Sequence, residues 1–247
     1  MAVDLELPGP RTRWHYRQVA NWLGPLLLAP FGGLHVSGRE HIPAEGPALI
    51  CSNHISYLDP PLLGIAAVRR CCYMAKASLF TIPVLGWFIR KSYSYPVDRD
   101  EGGRQALRIA TRLLEAGELV VIFPEGGRSP DGELMPGEPG AAYIAARTRV
   151  PLIPAAIWGT DIVMPRNTRR LYRCPMYVRF GPPMPPPALP EGGRISREQL
   201  QAVTDELMAR IGNLRQEIIA EVPEKWRQRA VQLKARWREA QARRAAE

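Results

Sequence analysis

Short apolar runs alternate along the chain with longer segments of helical spacing. Residues 48–51, 119–123 and 152–158 are continuously apolar, as expected for strands covered on both faces. Residues 72–75, 93–97 and 176–180 are further strand candidates. Between them, residues 60–69 predict a helix opened by Pro60 and Pro61, with Asp59 at its N-cap position. Residues 103–115 place Ala106, Leu107, Ala110, Leu113 and Leu114 on one side of a helix that Gly117 ends. Residues 141–147, 197–220 and 224 onward read as three more helices. Strands alternating with helices predict an α/β fold: a central mostly parallel or mixed sheet flanked by helices, with an N-terminal apolar helical arm and a C-terminal helical tail. The expected organisation is an arm over 1–37, a catalytic domain over 38–195 and C-terminal helices over 196–247.

The two ends carry their own patterns. Residues 12–34 read as two short apolar helices, interrupted near Gly24-Pro25 and at Pro30. That stretch falls short of the roughly 20 apolar residues a spanning helix needs. Trp14, Tyr16, Trp22 and Phe31, flanked by Arg11, Arg13 and Arg17, suit a segment lying in a membrane interface. Core packing is the alternative. In the tail, Trp226, Ala230, Leu233, Trp237 and Ala240 form one helical stripe among many Lys and Arg. Such a basic amphipathic helix either meets an anionic membrane or packs on the core.

Charge and cysteines narrow the classes. The 33 Lys and Arg outnumber the 24 Asp and Glu, giving a formal +9. That balance favours anionic partners, and the excess of Arg suits bidentate phosphate contacts. No nucleic-acid motif accompanies it, so no nucleic-acid partner is expected. Cys51, Cys71, Cys72 and Cys174 match no zinc spacing, and no leader with a cleavage site is visible. The expectation is a reducing, cytoplasmic setting with free thiols and no metal.

Three clusters can carry chemistry. His54 follows an apolar strand and precedes a helix, in Asn53-His54-Ile55-Ser56-Tyr57-Leu58-Asp59. A strand-to-helix turn can fold Asp59 back to the imidazole, fixing its tautomer and leaving the other nitrogen free to take a proton. A purely structural His and an N-cap Asp explain the same residues. Phe123-Pro124-Glu125-Gly126-Gly127-Arg128-Ser129 follows the most apolar strand; its glycines let amides approach an anion and Arg128 adds a forked donor. A tight turn with a surface Arg is the alternative. The third cluster, Val97-Asp98-Arg99-Asp100, offers another cation beside a strand, or a surface ion pair.

In this order, Asn53-His54-x4-Asp59, Val97-Asp98-Arg99, Phe123-Pro124-Glu125-Gly126-x-Arg128-Ser129 and Val150-Pro151-Leu152-Ile153-Pro154 resemble the four blocks of the glycerolipid acyltransferases, in particular the bacterial PlsC-like 1-acylglycerol-3-phosphate acyltransferase group. The likeness covers about residues 38–181. It implies a transferase of phospholipid biosynthesis, bound to the cytoplasmic face of the membrane without a spanning helix. His54 and Asp59 are the implied catalytic pair, with no covalent acyl-enzyme. Arg99, Glu125, Gly126, Arg128 and Ser129 would bind the acceptor, and Phe80, Trp87 and Phe88 would line the acyl groove. Acyl-CoA or acyl-carrier protein is the implied co-substrate; no cofactor is expected. The chain departs from the pattern at Gly127, where Thr is common, and at Ser92-Tyr93-Ser94-Tyr95, where a Gly usually precedes the Arg.

The expected reaction is acyl transfer to 1-acylglycerol 3-phosphate, giving phosphatidic acid. Alternatives are another acceptor (glycerol 3-phosphate, another lysophospholipid or a glycolipid), hydrolysis of a lipid or thioester, attack by Cys51, and a non-catalytic module binding anionic lipid.

Overall fold

A computed structural model describes residues 24, 26, 28–81, 94–97, 103–166, 170–188 and 195–246. They form a seven-stranded sheet. The strands are β1 (Leu34–Ser37), β2 (Ala48–Ser52), β3 (Cys71–Lys76), β4 (Ser94–Val97), β5 (Leu119–Ile122), β6 (Leu152–Trp158) and β7 (Met176–Phe180). Their spatial order is β1-β7-β6-β2-β5-β3-β4. Only β6 and β7 pair antiparallel; every other neighbouring pair is parallel. The helices are α1 (Asp59–Ala67), α2 (Arg104–Glu115), α3 (Gly140–Thr148), the one-turn α4 (Thr160–Val163), α5 (Arg197–Glu221) and α6 (Glu224–Ala246).

Alternation along the central strands divides the core. Leu49, Cys51, Val120 and Leu152 face one side, where Ile109 and Leu113 of α2, Ile144 of α3 and Leu207 and Ile211 of α5 cover them. Ala48, Ile50, Val121, Ile153 and Ala155 face the other, beneath Leu62, Leu63 and Ala66 of α1. Both faces are covered, which is why β2 and β5 carry no polar alternation.

Two features differ from the sequence reading, and a third decides between alternatives that it left open. Leu34–Ser37, assigned to the N-terminal arm, is a strand at the sheet edge, parallel to β7. It pairs residue 34 with residue 176, and a four-residue strand with a half-exposed pattern gives little local sign of such a partner. Thr160–Val163 forms a helical turn that no periodicity announced. The tail stripe packs inward: Ala230 is buried, and Trp226, Leu233 and Trp237 pack against the α1-side core. The described part of that apolar face is therefore taken by the protein itself. Most of the arm, including Trp14, Tyr16 and Trp22, lies outside the described residues; Phe31 packs on the core. Among the described residues, no helix is long and apolar enough to cross a membrane.

Candidate active site

Parallel strands β2 and β5 lie side by side, and their C-terminal ends deliver the His54 and Glu125 loops to one place. Asn53 sets the exit from β2. Its Oδ1 accepts from Ile157 N–H at 2.8 Å and its Nδ2 donates to Ile157 O at 3.1 Å. The side chain thus takes a strand-like place against β6, and the chain turns away at His54.

Asp59 is the fully buried centre of that turn. It is not the helix N-cap: α1 begins at Asp59 itself, after Leu58. Pro60 and Pro61 have no N–H to offer a capping carboxylate, and Leu62 N–H already goes to Leu58 O. The carboxylate turns upstream instead. Its Oδ2 accepts from His54 Nδ1 at 2.8 Å and from the amides of Ile55 and Ser56, each at 2.7 Å. Its Oδ1 accepts from the Thr160 hydroxyl at 2.6 Å. An anionic Oδ2 that already accepts two amides calls for a proton on Nδ1, which leaves Nε2 as the ring's lone-pair nitrogen.

The imidazole is held on its face as well. Phe123, at the end of β5, stacks on it with centroids 4.0 Å apart and planes 17° from parallel. The ring is not sealed, since the His54 side chain keeps 16% of its exposure.

Glu125 joins the two loops. Its Oε1 accepts from His54 N–H at 2.7 Å and its Oε2 from Met135 N–H at 2.9 Å. Ser129 N–H returns a bond to His54 O at 2.7 Å. Burial raises the Glu125 carboxyl above its usual range, against the lowering pull of the two amides. The sequence reading gave Glu125 to the acceptor. In the structure each of its oxygens accepts one backbone amide, so among the described residues it ties the His54 turn to Met135. Ser129 is similar: it is buried, with its hydroxyl donating to Asp131 Oδ1 and accepting from Gly132 N–H. Gly126 has φ 67°, and a Cβ there would sit 3.3 Å from the Glu138 carboxylate, so this tight turn favours glycine on both counts. At Gly127 a Cβ would meet nothing within 4 Å. The backbone therefore leaves room for a larger residue there.

Arg128 is the half-buried cation of the site. Its guanidinium carbon lies 3.5 Å from the ring centroid of Tyr57, three residues after His54. Burial lowers its pKa, and the charge of Arg166 adds to the effect. Arg166, absent from the sequence reading, donates to Arg128 O at 3.3 Å. Arg166 thus lies against the backbone of Arg128, close enough for its charge to be felt there, a pairing of cations beside the His54 turn that suits an anion. Tyr57 and Phe123, a platform for Arg128 and a face for His54, were visible only as members of their motifs. Arg99, Trp87 and Phe88 lie outside the described residues, while Phe80 is half-buried just after a short turn, Ala77–Leu79.

All four cysteines are buried and outside any disulfide. Cys51 is wholly inaccessible, and burial pushes its thiol far above neutrality, so it supplies no thiolate nucleophile. Among the described residues no group of three or more His, Cys, Asp or Glu side chains converges on a metal position.

Comparison with known proteins points one way. The family profile described as Acyltransferase matches residues 33–158. A 1-acyl-sn-glycerol-3-phosphate acyltransferase of Bacillus subtilis (strain 168) is 33% identical over 204 residues, spanning 81% of this chain and 96% of the relative. The 1-acyl-sn-glycerol-3-phosphate acyltransferase of Saccharomyces cerevisiae is 32% identical over 155 residues, 60% of this chain and 50% of the relative. The crystal structure of the 1-acyl-sn-glycerophosphate (LPA) acyltransferase PlsC from Thermotoga maritima superposes with a TM-score of 0.68 at 27% identity, covering 85% of this chain and 81% of that one.

Proposed function

The chain belongs to the acyltransferase family, and we propose that it transfers a fatty acyl group from acyl-CoA or acyl-carrier protein to the free hydroxyl of 1-acylglycerol 3-phosphate, giving phosphatidic acid. The observation that carries the chemistry is the 2.8 Å bond from His54 Nδ1 to a carboxylate with no exposure of its own. It poises Nε2 as a general base. Nε2 takes the hydroxyl proton as the oxygen attacks the thioester carbonyl. The tetrahedral adduct then expels the thiolate, which recovers that proton from the imidazolium. Asp59 stabilises the imidazolium between the two transfers. The reaction as proposed needs no metal, because a thioester is already an activated acyl donor.

Arg128 and Arg166 supply the positive end that the acceptor phosphate requires, and Arg99 is assigned to the same phosphate from its motif. Holding both substrates in line contributes beyond the base itself. Phe80, with Trp87 and Phe88, is assigned to the acyl chain. The basic balance of the chain suits work at an anionic membrane surface, on its cytoplasmic side.

His54→Ala tests the reading with purified full-length protein, acyl-CoA and a panel of lysophospholipid acceptors. Turnover should fall about 10²- to 10⁴-fold, the usual contribution of a general base, while the fold persists. Undiminished turnover in the variant removes His54 as the base. Rapid donor hydrolysis that no acceptor accelerates makes the protein a thioesterase.

A further inference from the structure

Thr160 stands 101 residues after Asp59 and outside every motif that marks the site. It opens α4, at the turn leaving β6. Gly159 makes that turn with φ 93°, and a Cβ there would overlap Pro175 O. The Thr160 side chain is fully buried, and its hydroxyl donates to Asp59 Oδ1 at 2.6 Å. Asp59 Oδ2 meanwhile receives His54 Nδ1 and two amides. A carboxylate fixed at only one oxygen can rotate about its Cβ–Cγ bond; fixed at both, it cannot. Thr160 supplies the second point.

Thr160 is itself held from outside the catalytic domain. Its neighbour Asp161 forms an ion pair with Lys234 of α6, Oδ2 to Nζ 2.8 Å. The packing of Trp226, Leu233 and Trp237 sets the position of α6, and Tyr172 meets Trp237 with ring centroids 5.8 Å apart. Lys234 also abuts the backbone of Gly132, in the loop that carries Arg128 and Ser129.

We propose that Thr160 is a positioning residue for acyl transfer, holding Asp59 so that Oδ2 meets His54 Nδ1, and that the Asp161–Lys234 pair lets the C-terminal helix hold Thr160 in place. This rests on His54 acting as the base. A purely structural role would cost stability and leave turnover alone. A positioning role costs turnover through displaced reacting groups, where a shift of about 1 Å is worth about 10²-fold.

The experiment measures kcat, KM for both substrates and Tm for Thr160→Val, Thr160→Ser, Lys234→Met, the double variant Thr160→Val/Lys234→Met and His54→Ala, all in the full chain. Thr160→Val keeps the shape and loses the donor. Its kcat should fall about 10- to 100-fold with both KM values nearly unchanged, and Thr160→Ser should recover most of the loss. Lys234→Met should lower kcat about three- to ten-fold and add little on top of Thr160→Val, since it acts through that residue. If Thr160→Val turns over like the parent while His54→Ala is dead, the positioning role is overturned and the base survives. If the Lys234 effect multiplies fully with that of Thr160→Val, the link through α6 is overturned. If His54→Ala stays active, the base reading itself fails.

Discussion

Asp59 and Glu125 follow the C-terminal ends of two neighbouring parallel strands, and both are buried carboxylates that accept backbone amides. They differ in what else they accept. Asp59 takes a titratable ring on one oxygen and a hydroxyl on the other. Glu125 takes only amides, one from His54 and one from Met135. On the function proposed above, the first belongs to the proton-transfer device and the second fixes the backbone from which that device hangs. Burial and charge do not separate the two roles; the partner set does.

That contrast is testable at each carboxylate. The largest effect belongs to Asp59→Asn. The amide must turn an N–H toward at least one of the groups that now donate to the carboxylate, and the imidazolium loses its counter-charge. We expect kcat to fall about 10²- to 10⁴-fold in steady-state assays, comparable to His54→Ala. Equal activity in the two proteins would erase the distinction between the loops.

Arg128→Ala comes next and acts on the acceptor alone. The KM for the lysophospholipid should rise about ten-fold or more, with the KM for the acyl donor little moved. A matching rise for the donor would place Arg128 on the other substrate.

Glu125→Gln should be the mildest in turnover, about ten-fold or less, because one of the two accepting oxygens survives. Its stability carries a sharper sign. The folded Glu125 carboxyl is raised by burial, so its contribution is complete below the unfolded pKa and declines as pH rises through the folded one. Relative to Glu125→Gln, the parent should have its greatest advantage near about pH 4 and lose part of it by about pH 8 in denaturant titrations. An advantage that grows with pH would mean that the amides outweigh burial.

The sequence alone carried much of the sheet and the contact between His54 and Asp59. Residues 152–158 and 176–180 were bounded as they fold; the first is a run of apolar residues, as a strand buried on both faces leaves, and only Arg179 interrupts the second. The helices expected over 103–115 and 197–220 fold as 104–115 and 197–221, and the structure adds a Ser196 capping box that opens the second. His54 and Asp59 were legible because five residues of turn keep them within reach of each other. Thr160, Arg166 and the Ile157 contacts of Asn53 were not, because nothing local marks a bond to a residue 38 to 104 positions away.

Local spacing thus determined most of the strands and helices, which histidine lies within reach of a carboxylate, and that the tail has an apolar stripe. Tertiary structure alone decided that β1 lies beside β7, that the stripe meets the core, and that Glu125 anchors backbone. The physical reason is the same in each case. Periodicity records that a side chain must leave water, whereas its partner is chosen by packing among segments distant along the chain.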